Sequence, residues 1–256
     1  MIIEALQHFF FKAPKHIKDM GYVKETIAIE ARFKRCEEFW APHLEKCKEQ
    51  ILKAAESLPE GANIMILGSG ALHDVPIDAL LAQKHHITCV DIVHLPQIRQ
   101  KYPQVDFIDK DITGIAEEFY NRVKAHKTYK GRIAFRWDMG KMPDLVVSLN
   151  LLSQLPINMM SFADQQKASL HESFSENIMA AHLSWLLSLR TNILLVSDMK
   201  RDYFYKKDLV RSDRALETID YFDHHEAIEE WEWDVAPLGE AEKDVRICHT
   251  VGAWQI

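Results

Sequence analysis

The chain has 256 residues, enough for one large domain, or one domain with an added cap, and for a full buried core. Its net charge of −7 gives no support to nucleic-acid binding, and no apolar run approaches the roughly 18 residues of a membrane span. The four cysteines, Cys36, Cys47, Cys89 and Cys248, form neither a CxxC pair nor a dense framework, which suits a reducing cytoplasm.

In chain order, residues 1–22 read as a short amphipathic helix and a loop, with Ile2, Ile3, Leu6, Phe9 and Phe10 on one face, packed on the body or lying over a pocket as a flap. Glu4, and the lack of a basic segment ahead of this short apolar stretch, argue against a signal peptide. From Lys24 to Leu58 the apolar residues Phe33, Cys36, Trp40, Leu44, Cys47 and Ile51 recur at helical steps. Pro42 is expected to divide this stretch into two helices, and Trp40 is a candidate for the wall of a ligand site. Ile64 to Leu67 is a short apolar strand. It ends in a tight turn, Gly68-Ser69-Gly70, followed by a short helix led by Pro76 and a second strand, Ile87 to Val90, closing on Asp91. Strand, glycine turn, helix, strand, acid is the layout of a nucleotide-binding βαβ unit. The glycines tolerate positive φ and let backbone N–H groups approach a ligand. An acid at the tip of the second strand can accept hydrogen bonds from a ribose diol.

A helix near Pro96, a strand at Val105–Ile108, the run DKDITG (109–114) and a helix to about Lys124 come next. An irregular basic segment, 126–141, leads to a buried strand over Pro143–Asn150, in which Leu145, Val146 and Val147 form a continuous apolar run. A loop follows, then the longest helical pattern at 163–190, then a buried strand over Arg190–Met199. The run 200–216 reads as loop and helix. Glu229–Ala236 and Val245–Ile256 form a terminal antiparallel hairpin. Alternating βα units imply a mostly parallel sheet with helices on both faces, whose ligands bind beyond the carboxyl ends of the strands.

With these motifs in order, the chain resembles the class I S-adenosylmethionine-dependent methyltransferases from about residue 60 to the end. The resemblance implies a mostly parallel seven-stranded sheet with helices on both faces and a C-terminal antiparallel hairpin, spanning 59–256. Residues 1–58 would be a helical N-terminal cap. It implies that Gly68, Ser69 and Gly70 cradle the methionyl part of S-adenosylmethionine and that Asp91 holds the ribose hydroxyls. Ile92 and Ile112 would lie against adenine, Asp111 near its amino group, and Asn150 would line the site near the sulfonium. Ile66 and Leu72 stand where the family often has an acid and a third glycine.

The acceptor is expected to be a small molecule or a protein. Asn150 is followed by Leu151 and Leu152 rather than the Pro-Pro-aromatic run of amino-directed nucleic-acid methyltransferases, which disfavours a nucleic-acid base. The catalytic residue is left open, with Asp198, Tyr203, Tyr205, His73 and His171 as candidate bases. The alternatives are an NAD(P)-dependent oxidoreductase, against which His73 occupies the third glycine position of GxGxxG, and a non-catalytic binding or scaffolding protein. No metal is expected. Asp223-His224-His225-Glu226 cannot converge on one ion from consecutive positions, and Ser175 replaces the second histidine of HExxH. Ser69, between adjacent glycines, is not a nucleophile elbow.

Overall fold

The computed structural model describes residues 10–129, 133, 135, 137, 139–216 and 221–256, apart from the Asp223 side chain. The proposed amphipathic face at Ile2, Ile3, Leu6 and Phe9, and part of the basic segment 126–141, lie outside them.

The strands are β1 (Asn63–Leu67), β2 (His86–Asp91), β3 (Asp106–Asp109), β4 (Leu145–Leu149), β5 (Asn192–Tyr205), β6 (Asp208–Arg214), β7 (Glu229–Ala236) and β8 (Val245–Gln255). They form one eight-stranded sheet in the order β3-β2-β1-β4-β5-β8-β7, with β6 paired to the distal part of β5. The first five are mutually parallel, and β8 runs antiparallel to both β5 and β7. The fold is mixed α/β with a C-terminal antiparallel pair, and its strand order reverses between β1 and β4.

Side-chain alternation explains why the sheet is covered on both faces. Met65, Leu67, Val90, Val146, Ile193 and Leu195 point into one apolar cluster. That cluster also holds α1 (Lys15–Asp19), the start of α2 (Tyr22–Ala55), α5 (Ala116–Lys124), α6 (Ile157–Gln165) and α7 (Phe174–Ser188). Ile64, Ile66, Ile87, Cys89, Val147, Leu194 and Val196 point the other way, against the end of α2 and α3 (Ile77–Ala82). Two short helices, α4 (Pro96–Lys101) and α8 (Tyr221–His224), and a 3₁₀ turn over Leu152–Gln154 complete the described elements.

Three expectations are corrected. The sheet has eight strands rather than seven, because 200–216 continues β5 to Tyr205 and turns back as β6. The two-residue turn is Lys206-Lys207, with Lys206 in the left-handed region at φ 57°. A lysine there replaces the glycine or asparagine that announces such a hairpin. Second, α2 is one helix of 34 residues that runs through Pro42. Pro42 and Glu38, whose carbonyl loses its partner, are both exposed, so water satisfies the carbonyl and the helix bridges the break. Third, the 163–190 pattern is two helices, α6 beginning at Ile157 and α7 at Phe174, with Lys167 left-handed between them.

His182, buried in α7, meets Ser148 Oγ at 3.0 Å, and burial pushes its pKa down to about 3. His43, buried in α2, is pushed down to about 3 for the same first reason. Between pH 6.5 and 3 the unfolded chain binds a proton at each ring that the folded chain refuses. The stability these rings contribute is therefore complete above pH 6.5 and lost as pH falls towards 3, at about 1.4 kcal/mol per pH unit for each. Denaturant unfolding at pH 7, 6 and 5 is expected to show the fall, and His182→Asn should remove about one histidine's share of the slope. An unchanged slope in that variant would contradict the assignment.

Candidate functional site

A cavity of about 590 Å³ lies across the carboxyl ends of the parallel strands. One stripe of α2, including Tyr22, Thr26, Ile29, Trp40, His43 and Leu44, forms its wall. Gly68, Ser69, Gly70, Asp91, Ile92, Asp111, Ile112 and Asn150 all line it. The loops after β1, β2, β3 and β4 bring these eight residues together.

Gly68 has φ 77°, and a Cβ there would stand 2.6 Å from the Leu149 carbonyl oxygen and 3.0 Å from Leu151 Cβ. The β1 turn therefore passes against the β4 end at a distance that only glycine permits. Gly70 N–H donates to Asp91 Oδ2 at 2.8 Å, and Ile92 N–H donates to Asp91 Oδ1 at 2.7 Å. Burial raises the Asp91 carboxyl pKa, against the pull of the Gly70 N–H. Each oxygen retains a lone pair for a ligand. Ser69 is fixed from behind. Its hydroxyl lies 2.9 Å from His94 Nε2, and His94 Nδ1 lies 2.8 Å from Asp109 Oδ1. Since Asp109 accepts, Nδ1 carries the proton and Nε2 accepts from Ser69.

Those distances match a Ser-His-Asp triad, but Ser69 is 1% exposed and His94 is 2% exposed. The hydroxyl is committed to the interior, so the relay clamps the ends of β1, β2 and β3 together. Ser69→Ala would leave a buried imidazole nitrogen unpaired. The expected cost is about 1–3 kcal/mol, a drop of several degrees in Tm, and an unchanged Tm would contradict the clamp.

Asp111 performs a local task. Oδ1 accepts from Thr113 N–H at 2.9 Å and from Thr113 Oγ1 at 2.5 Å, and Oδ2 accepts from Ala116 N–H at 2.8 Å. It thus caps the start of α5 while facing the cavity. Asn150 is left-handed at φ 49°, and its Nδ2 donates to Asp74 Oδ2 at 3.0 Å and to Cys47 Sγ at 3.6 Å. It ties the end of β4 to α2.

His43, Cys47 and Asp74 place one ligand atom each within 4.8 Å of the others. Their hydrogen-bond chemistry is not that of a metal site. His43 Nδ1 accepts from Trp231 Nε1 at 3.0 Å, so the neutral ring carries its proton on Nε2, the nitrogen that faces the other groups. Burial raises the pKa of the Cys47 thiol and of the Asp74 carboxyl, which disfavours the ionised forms that a metal would draw on. The His43 ring also stacks on Trp233 at 4.0 Å and 5°.

Of the candidate bases, Asp198, Tyr203 and His73 line the cavity. His73 is held by Glu30 at 2.9 Å and stacks on Phe33. Tyr205 is half-exposed on the β5–β6 hairpin, and His171 is exposed and bonds Ser173. Asp74 and His249 are among the polar residues of the cavity wall that the sequence did not single out. The alternation in Val245–Gln255 indicates a strand but not which face meets the cavity.

No protein-family model matches the chain, and no curated protein matches its sequence. Several of the solved structures similar to it are S-adenosylmethionine-dependent methyltransferases of the class I fold. The bifunctional kinase-methyltransferase WbdD matches with 13% identity and a TM-score of 0.39 over 82% of this chain and 39% of its own. The chain thus spans about two fifths of WbdD. The Burkholderia thailandensis 1,6-didemethyltoxoflavin-N1-methyltransferase, bound to its substrate and S-adenosylhomocysteine, matches with 12% identity and a TM-score of 0.38 over 90% and 89%. A Rhodobacter sphaeroides protein described as a Zn-dependent alcohol dehydrogenase matches with 10% identity and a TM-score of 0.33 over 59% and 46%. None of the three reaches a TM-score of 0.5, so the functional reading rests on the site's own residues.

Proposed function

We propose that the chain binds S-adenosylmethionine and transfers its methyl group to a small-molecule or protein acceptor in the cytoplasm. One observation carries this reading: the Gly68–Gly70 turn and Asp91 meet, through the Gly70–Asp91 hydrogen bond, at a cavity beside the β1/β4 reversal of strand order. That reversal is where open α/β sheets bind ligands. The residues fit the cofactor. The turn is free of side-chain bulk where a backbone approach is needed, Asp91 offers lone pairs to a diol, and Ile92 and Ile112 are apolar surfaces for a ring. When bound, S-adenosylmethionine supplies a methyl group already activated by a sulfonium. The chain's own part is then to hold the acceptor in line and exclude water.

A small or protein-borne acceptor is supported by the shape and charge of the site. α2 runs along the cavity as a wall, and the acids of the lining, Glu25, Asp74, Asp91, Asp111 and Asp198, outnumber its cations, Arg32, Lys110 and Arg201. A polyanionic acceptor would meet that wall unfavourably. Among the described residues no helix is long and apolar enough to cross a membrane. The test is transfer of a labelled methyl group from S-adenosylmethionine into extract separated into small-molecule, protein and nucleic-acid fractions. Label is expected in one of the first two. Label confined to nucleic acid would overturn the acceptor class, and no transfer to any fraction would favour a binding role without turnover.

A further inference from the structure

The cavity lining holds a second arrangement of polar groups besides the glycine turn. Asp198, 4% exposed, lies where β5 leaves β4 and continues alongside β8. Arg201 Nε donates to Asp198 Oδ2 at 2.6 Å, Ser153 Oγ donates to Oδ1, and Arg201 Nη2 donates to Ser153 Oγ at 3.0 Å. The carboxylate is thereby fixed in place and charge-paired. Arg201 is the register partner of His249 on β8. His249 turns Nδ1 towards Asp198 Oδ2 at 3.6 Å, and this nitrogen is buried with no closer partner. No hydrogen bond to its Nε2 is found among the described residues, and His249 lines the cavity. Trp233 stands edge-on to the ring at 5.8 Å and 78°.

We propose that His249 is the general base of the methyl transfer, that Asp198 is its positioning residue, and that the acceptor is a nucleophile carrying a proton: a hydroxyl or an N–H nitrogen. The inference rests on the methyltransferase reading and deepens it. The acceptor atom forms a bond to the methyl carbon while the carbon–sulfur bond breaks, and that electron pair returns to sulfur as the thioether. The proton leaves the acceptor for His249 Nε2, and the imidazolium formed is stabilised by Asp198 before it releases the proton to solvent. The step needs no further reagent. A carboxylate, a thiolate or a tertiary amine brings no proton and would leave this pair without a task. The same logic requires the Nδ1–H tautomer, since only then does Nε2 present a lone pair.

The charged or titratable groups that face His249 are Asp198 and Arg201 on β5 and His43 on α2. Burial, the larger influence, lowers the pKa of the ring to about 4 in spite of Asp198, so the ring is neutral at physiological pH. His43 is buried neutral as well and adds no positive charge.

The test is ¹⁵N NMR of the full chain with labelled histidine, free and saturated with S-adenosylhomocysteine, from pH 5.5 to 8. His249→Gln identifies the resonances. The expected result is a single neutral Nδ1–H tautomer for His249, and a shift towards Nε2–H in Asp198→Asn, where an amide can no longer serve only as acceptor. An Nε2–H ring in the wild-type protein would overturn the proposal. An unchanged tautomer in Asp198→Asn would overturn the positioning role. In the labelled-methyl assay, His249→Gln should lower transfer about 10²–10⁴-fold with S-adenosylhomocysteine affinity within about twofold of wild type. Transfer at the wild-type rate would remove His249 as the base. Failure of the wild-type protein to bind S-adenosylhomocysteine would instead remove the methyltransferase reading, leaving the tautomer of the free protein separately measurable.

Discussion

Asp91→Ala is expected to weaken S-adenosylhomocysteine binding about 100-fold, or roughly 2.7 kcal/mol, with a much smaller change in folding stability. The asymmetry follows from what the carboxylate does. Towards the protein it accepts from Gly70 N–H and Ile92 N–H. These are two backbone bonds at the rim of a cavity, where water can replace the lost partner. Towards a ligand it offers charged acceptors at the end of β2, and hydrogen bonds to charged groups carry about 1.5–3 kcal/mol each. Burial raises the carboxyl pKa, so ionising Asp91 costs folding energy that the alanine variant no longer bears. Asp91→Asn keeps one acceptor oxygen and should lose about tenfold. Titration calorimetry of the two variants against wild type decides it. Equal affinity for all three would mean that the ligand does not reach Asp91.

Gly68→Ala is the second large effect, and it falls on folding. A methyl group at 2.6 Å from the Leu149 oxygen and 3.0 Å from Leu151 Cβ cannot be accommodated without moving β1 away from β4. The left-handed φ of 77° adds strain of about 1–2 kcal/mol, and overpacking adds about 1–3 kcal/mol. A total loss on the order of 2–5 kcal/mol is expected, read as a Tm drop on the order of 10 °C. Gly70→Ala is the control. It shares a positive φ of 49° but has nothing within 4 Å of the new Cβ, so only the strain remains, about 1–2 kcal/mol. Equal losses in the two variants would show that the close approach to β4 is not what selects glycine at position 68.

The sequence showed most clearly those features that depend on local chemistry. β1 and β4 are continuous apolar runs because both of their faces are covered, and the terminal hairpin kept its strand pattern at Glu229–Ala236 and Val245–Gln255. The glycine turn and Asp91 stood out for the same reason: positive φ and an acid at a strand end are local requirements. What escaped notice depends on non-local partners. Pro42 stays within one helix because its side is solvated and the flanking turns are held against the sheet, which helix propensity does not record. The β5–β6 hairpin turns on a left-handed lysine, a residue without turn preference. His249 and Asp198 are 51 positions apart and meet only through the antiparallel register of β5 and β8, so no spacing rule finds them. Asn150 was named from the sequence by its place at the end of β4, but its amide partners on α2 and in the loop after β1, distant in sequence, were not.

The most direct measurement is thermal unfolding of the full chain with and without S-adenosylhomocysteine, with NAD as the control ligand. At about one hundred times its dissociation constant a ligand of the folded state adds roughly 2.7 kcal/mol, a shift of several degrees for a chain this size. A shift with S-adenosylhomocysteine alone, abolished in Asp91→Ala, is the predicted result. A shift with NAD alone would contradict the account and make the βαβ unit that of an oxidoreductase.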